Sequence, residues 1–174
     1  MRQRWKPATH ETLATISRIA AEIHPTLPER IEIFEEKLRL FPGGCFVLED
    51  VGTIVGYGLA HPWLLNDIPK LATFLECLPA SPDCIFIHDV VVLPHARGRG
   101  AARAYVALIS ELAARYGIDH LALVSVYGTQ RFWSRCGFKV SKNAEVRPGL
   151  KPYGSGASYM IKKLPPTIPT SVQR

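Results

Sequence analysis

The sequence predicts an α/β protein with one central mixed β-sheet flanked by helices. Two helical stretches followed by a hairpin, a strand, loop, helix and strand crossover at mid-chain, and a late helix with two closing strands carry that reading. A hairpin supplies antiparallel neighbours and a crossover supplies parallel ones, so the sheet has to be mixed.

Residues 5–8 read as a short first strand that stops at Thr9, a good helix N-cap. Leu13, Ile16, Ile19, Ala20 and Ile23 then recur at helical spacing until His24-Pro25 ends the first helix. A second helix is expected from Pro28, with Ile31, Phe34, Leu38 and Phe41 on one side, and it stops at Pro42-Gly43-Gly44. Residues 45–49 and 53–60 flank Asp50-Val51-Gly52 and form an antiparallel hairpin. From 61 to 83 the chain is rich in proline and turn residues. It reads as a functional loop region with one helical turn near 71–78.

Residues 85–93 are nearly all apolar or β-branched, which suits a central strand covered on both faces. Pro94 and a glycine-containing loop follow. Residues 101–116 are helix formers with Tyr105, Leu108, Ile109 and Leu112 on one face, and Gly117 ends that helix. Residues 120–126 are the next strand, which the crossover makes a parallel neighbour of 85–93. A short helix near 129–135 ends at Cys136-Gly137, and closing strands lie near 138–141 and 158–164.

The chain has 174 residues, 47% of them hydrophobic, which suits one domain, read as residues 1–164. Pro165-Pro166-Thr167-Ile168-Pro169 cannot continue a sheet ladder, so 165–174 is expected to be a flexible tail. No apolar run of about 18 residues exists, and the basic start lacks the apolar core of a signal peptide. A cytoplasmic, membrane-free protein is therefore expected. Cys45, Cys77, Cys84 and Cys136 form no Cys-x-x-Cys pair and have no histidine at ligand spacing, so neither a metal site nor a redox dithiol is indicated. Lys and Arg number 21 against 15 Asp and Glu, a net charge of +6 that suits an anionic partner. Apart from Arg97, Arg99 and Arg103 these charges are scattered, which disfavours nucleic acid.

Backbone N–H groups at a helix start have no intrahelical partners, and the helix dipole adds about half a positive charge there. The stretch Arg97-Gly98-Arg99-Gly100-Ala101-Ala102 is thus a ready anion site, with glycines allowing close approach and arginines adding charge. The pattern Gly-x-x-x-x-Gly-Lys-Ser/Thr is absent, and Gly98 and Gly100 lack the third glycine of a dinucleotide fingerprint. Val90-Val91-Val92-Leu93-Pro94-His95-Ala96, running into that loop, resembles the cofactor motif of the GNAT acyltransferases, Arg/Gln-x-x-Gly-x-Gly/Ala after a strand. Phe132-Trp133-Ser134-Arg135-Cys136-Gly137-Phe138 resembles the family's second motif.

The resemblance implies a GNAT fold with strands splayed around acetyl-CoA as co-substrate, and direct transfer of its acetyl group to a primary amine in a ternary complex. It places the pyrophosphate on the amides of Arg97 to Ala102, the pantetheine arm on the backbone around Val90, Val91 and Val92, and Trp133 against the pantetheine end. An alkyl ammonium with pKa near 10.4 leaves only about one molecule in a few thousand nucleophilic at pH 7, so a base is needed. The family takes the proton with a carboxylate or histidine on the strand before the loop, often through water. Strand alternation puts Phe86, His88, Val90 and Val92 on one face and Ile87, Asp89 and Val91 on the other. His88 is the first candidate base and matches a strand histidine of the serotonin acetyltransferase branch. Asp89 competes if a bulge turns it. Trp133 stands where many relatives have a tyrosine that reprotonates the thiolate, so Tyr127 or water is left as the acid. Val126 likewise replaces an asparagine found in many relatives.

His24, His61, Trp63, Asp67, Tyr153 and Tyr159 are the candidate acceptor-lining residues. The acceptor is a small-molecule or peptide amine, and a homodimer is compatible with the reading. A noncatalytic acetyl-CoA sensor or scaffold, and a basic RNA-binding protein, are the rival readings.

Overall fold

A computed structural model describes residues 3–165, so the tail expected from 165 onward falls almost wholly outside the described residues. Strand β1 (Arg4–Pro7) leads to Thr9, whose N–H donates to Thr12 Oγ1 at 3.0 Å and so turns the chain into a short 3-10 segment before α1 (Leu13–Ile23). Helix α1 buries Leu13, Ile16, Ile19 and Ala20, as its periodicity predicts.

Helix α2 (Ile31–Leu40) starts three residues after the expected Pro28, and its inner face differs from the apolar count. Ile31 is 40% exposed, whereas Ile33, Phe34, Lys37 and Leu38 are buried. Apolar spacing misses this because two of the inward residues, Glu36 and Lys37, are charged, and Glu36 finds partners for its charge in the distant amides of Leu75 and Glu76.

Strands β2 (Cys45–Asp50) and β3 (Thr53–Trp63) form the hairpin. β3 runs three residues farther than predicted, pairing His61, Pro62 and Trp63 with the next strand, β4 (Cys84–Val92). Proline is tolerated there because β2 pairing ends at Leu59, which leaves that side of β3 as an edge. The helical turn expected near 71–78 is not formed. Backbone amides in that stretch go instead to side-chain carboxylates: Ala72 N–H to Glu29 at 3.2 Å, and Leu75 and Glu76 N–H to Glu36 at 2.7 and 2.8 Å. Ala72 and Glu76 adopt positive φ to make these bonds.

Helix α3 (Ala101–Arg115) crosses over to β5 (His120–Ser125), followed by α4 (Gln130–Arg135), β6 (Lys139–Val140), short turns of helix at 144–153 and β7 (Ser158–Lys163). The seven strands form one open sheet in the order β1-β2-β3-β4-β5-β7-β6. β4 and β5 are parallel, as the crossover requires, but they pair only through Ile85, Phe86 and Ile87, opposite Leu121, Ala122 and Leu123. Beyond Ile87 the two strands part.

The second irregularity of β4 lies at the same level. Leu59 faces Asp89 while Ala60 faces Ile87, so His88 is an extra residue in the ladder, a β-bulge. The alternation therefore slips: Ile85 and Ile87 pack under α3, Val90 joins that same cluster, and Val91 packs with Tyr57 and Leu59 under α1 and α2. The expectation that His88 shares a face with Val90 is corrected by this bulge. Phe86 packs in a third cluster with Ala122 and Tyr159.

Candidate active site

The loop before α3 has the geometry of an anion site. Gly98 and Gly100 sit at φ of +82° and +81°, and a side chain on either would meet nothing within 4 Å. Both are glycines because the left-handed region disfavours a Cβ. The first helical bond of α3 runs from Ala104 N–H to Gly100 O at 3.0 Å, so the amides at the helix start have no helical acceptor. Trp5 fixes this end by donating Nε1–H to Ala101 O at 2.9 Å and packing its ring 5.0 Å from Tyr105. Arg97 donates Nε–H to Val92 O at 2.8 Å, which clips the loop to the end of β4. Arg99 turns away and pairs with Asp50 at 2.7 Å.

A cavity of about 820 Å³ joins this loop to the gap between β4 and β5. Its lining includes Arg97, Gly98, Gly100, Ala101 and Ala102 at one part, and Val90, Val91 and Val92 along β4. Arg103 and Arg135, which sequence reasoning did not select, line it as well, whereas the Arg99 side chain does not. Trp133 lines the cavity too, wedged between Phe132 and Phe138 with Nε1–H donated to Thr129 Oγ1 at 3.2 Å.

A hydrogen-bonded line of side chains opens into the same cavity. Tyr57 donates its hydroxyl to Asp89 Oδ2 at 2.5 Å, His24 Nε2 lies 3.1 Å from the same oxygen, and His24 Nδ1 lies 3.1 Å from the Tyr127 hydroxyl. The bulge at His88 is what turns Asp89 to this side. Burial alone would lower the pKa of His24, but the hydrogen bond and charge of Asp89, with Glu29 nearby, raise it above 6.5. Burial drives the Tyr57 hydroxyl well above 10, reinforced by Asp89, so it stays a donor. Tyr127 holds φ at +52° and stacks on His24 with ring centroids 5.5 Å apart. A tyrosine in the left-handed region is strained by about 1–2 kcal/mol.

His88 packs beside this line rather than within it. Its Nε2 lies 3.2 Å from Glu29, and its side chain is only 5% exposed. Burial opposes ionisation of Glu29, yet His88, Lys37 and the Ala72 amide hold its carboxyl down at about 2. His24 and Tyr153 line the cavity, while His61 and Trp63 do not. His61 is buried on β3 against Phe86 and Trp63, and burial, with the charge of His88, pushes its pKa down to about 3. Asp67 and Tyr159 also lie outside the lining. Sequence reasoning missed Tyr57 and Glu29. A hydroxyl-bearing ring at an inward position between Val55 and Leu59 was the available signal for Tyr57, because a buried phenol needs a partner.

All four cysteines are free, and among the described residues no group of three or more potential ligands could hold a metal. No described helix is long and apolar enough to cross a membrane.

Parallel strands that part beside the start of the crossover helix define the acetyltransferase class of α/β fold. The sequence agrees with that assignment. The model of the acetyltransferase (GNAT) family matches residues 9–138, and the chain belongs to this family. No curated protein matches it. Among solved structures, the GphF GNAT-like decarboxylase in complex with isobutyryl-CoA aligns with a TM-score of 0.75 at 18% identity, over 93% of this chain and 100% of that one. Ard1 from Thermoplasma volcanium aligns with a TM-score of 0.70 at 14% identity, over 95% and 99%. Rv2747 from Mycobacterium tuberculosis, in complex with CoA and NLQ, gives 0.68 at 19% identity, over 93% and 99%. At these identities the likeness is one of fold.

Proposed function

We propose that the protein is an N-acyltransferase that moves an acetyl group from acetyl-CoA to a primary amine by direct attack in a ternary complex. The observation that carries this reading is the line Tyr57, Asp89, His24 and Tyr127 opening into the cavity that also holds the phosphate loop. Acetyl-CoA supplies an activated thioester. The chain fits it: open glycines and partnerless amides before α3 suit the pyrophosphate, Arg97 and Arg103 add charge, and the unpaired edge of β4 offers backbone groups to a pantetheine amide.

Proton handling falls to the side chains. In this reading Asp89 holds Nε2 of His24 and balances its charge, so that His24 Nδ1 receives the amine proton relayed through the Tyr127 hydroxyl. Its raised pKa gives it a stronger hold on that proton. The Tyr127 hydroxyl, bonded to that ring nitrogen, is also the group positioned to donate to the departing thiolate, drawing its replacement proton from the His24 imidazolium. That role would replace the tyrosine missing at Trp133, whose indole N–H is held by Thr129 and is no practical acid. His88 becomes a neighbour that sets the bulge and with it the aim of Asp89. A cytoplasmic location accords with this chemistry.

The test is calorimetric titration with acetyl-CoA, followed by thiol-release assays over a panel of primary amines. We expect binding and release of thiol in step with amine acetylation. Binding without turnover across the panel would instead support a noncatalytic sensor, and salt-sensitive RNA binding in competition with acetyl-CoA would support an RNA-binding role.

A further inference from the structure

Charge is unevenly distributed over the cavity wall. Its fixed cations are Arg97, Arg103 and Arg135, all on the phosphate loop, α3 or α4. On the α1 and α2 side the ionisable lining residues are two carboxylates, Glu29 and Asp89, and the two histidines bonded to them, His88 and His24. The remaining wall there is apolar, with Ile23, Leu27 and Leu71. Lys37 lies behind Glu29, fully buried, and does not line the cavity.

Leu71 is held in place. Glu29 accepts the Ala72 amide at 3.2 Å, Glu36 accepts the amides of Leu75 and Glu76, and Arg30 lies over the Phe74 ring at 5.5 Å. These bonds strap residues 71–76 over the acceptor side, so a ligand entering there meets a fixed wall rather than a channel for a long chain.

A substrate carboxylate placed on this side would find no cation that is not already paired with Glu29 or Asp89, and a buried carboxylate without a partner is disfavoured. An ammonium would meet the opposite situation, and its carbon body would lie on leucine and isoleucine. We propose that the acceptor is a small monoamine with an apolar body and no carboxylate, and that Glu29 is the residue that enforces this choice. The proposal rests on reading the cavity as an acyltransferase site. It narrows that reading to one class of amine.

Binding to the CoA-saturated protein tests the proposal without requiring turnover. The probes are 1-pentylamine, norleucinol, norleucine and the tripeptide norleucyl-glycyl-glycine, measured by calorimetry. Norleucinol and norleucine have the same side chain and differ in charge, so their ratio isolates the carboxylate. We expect pentylamine and norleucinol to bind, and norleucine and the peptide to bind about tenfold more weakly or worse.

Two variants locate the cause. Glu29→Gln keeps an acceptor for the Ala72 amide and replaces the acceptor of His88 with an amide donor that the other ring tautomer can meet, and should narrow the gap between norleucinol and norleucine. Leu27→Arg adds a cation at a half-buried wall position and should improve norleucine binding. Equal binding of norleucine and norleucinol, binding of the peptide as tight as that of pentylamine, or no binding of either carboxylate-free amine overturns the proposal. The expected order of affinities with no thiol release from acetyl-CoA would overturn the transferase reading and leave the ligand class standing.

Discussion

The two parts of the proposed site are built in opposite ways. The proposed phosphate loop is backbone, contiguous over six residues, and shaped by glycine geometry and a helix start. The proposed acid–base line is side chain, and its four members come from the end of α1, from β3, from β4 and from the turn after β5. A backbone site tolerates most side-chain changes and fails when the main-chain path is altered. A side-chain line has the reverse sensitivity, because each atom in it has few partners. Substitutions should therefore divide into those that abolish affinity and those that abolish turnover.

The largest effect is expected at the centre of the line. Asp89→Asn keeps the shape but removes the anion between Tyr57 and His24, and should lower kcat by about 10²- to 10⁴-fold while acetyl-CoA affinity stays close to wild type. A matching loss of affinity would erase the division drawn above. Gly100→Val should do the converse. Its Cβ enters open space, but φ of +81° strains a β-branched residue and the branch occupies the anion site, so calorimetry should register loss of acetyl-CoA binding with the fold intact.

A finer comparison separates the two histidines. His24→Gln should lower kcat more than His88→Ala does, since His24 touches both Asp89 and Tyr127 whereas His88 touches Glu29. If His88→Ala proves the more damaging and abolishes the acid limb of the pH–rate profile, the strand histidine is the base and the line is scaffolding.

The smallest effects appear in stability against pH. Glu29 has a lowered pKa, so its contribution is complete above 4.5 and disappears as pH falls toward about 2. A depression of that size corresponds to about 3 kcal/mol, and denaturant titrations of wild type and Glu29→Gln should converge across that acid window. His24 has a raised pKa, so the sign reverses: its pairing with Asp89 stabilises fully below 6.5 and weakens as pH rises through the raised value. The stability gap between wild type and His24→Gln should shrink over that range.

The same contrast explains what can be read from the sequence. Gly98 and Gly100 before a helix, the valine run of β4 and the crossover are local patterns, and each is legible. Glu29 and the bond from Tyr57 to Asp89 are not, because nothing near them in the chain shows that β4 bulges at His88 or that α2 starts late. His24 reads from sequence only as a lining residue, since its bond to Asp89 joins positions 65 residues apart. The stretch 71–78 misleads because its amides find acceptors on Glu29 and Glu36, side chains from a distant part of the chain, rather than in a turn of its own. β3 reads as ending before Pro62 because a proline argues against a strand unless the edge is known.

The parting of β4 from β5 has a further effect on the unliganded molecule. Past Ile87 and Leu123 the sheet contains two internal edges with unsatisfied ladder groups, flanked on both sides by fully paired strands. Such an interior seam admits water into an otherwise continuous sheet, so amide hydrogens on the β5-facing side of residues 89–92 should exchange with deuterium sooner than those of 85–87. A ligand whose own amides lie along the seam acts as a temporary strand, and its arrival should slow exchange on both lips together.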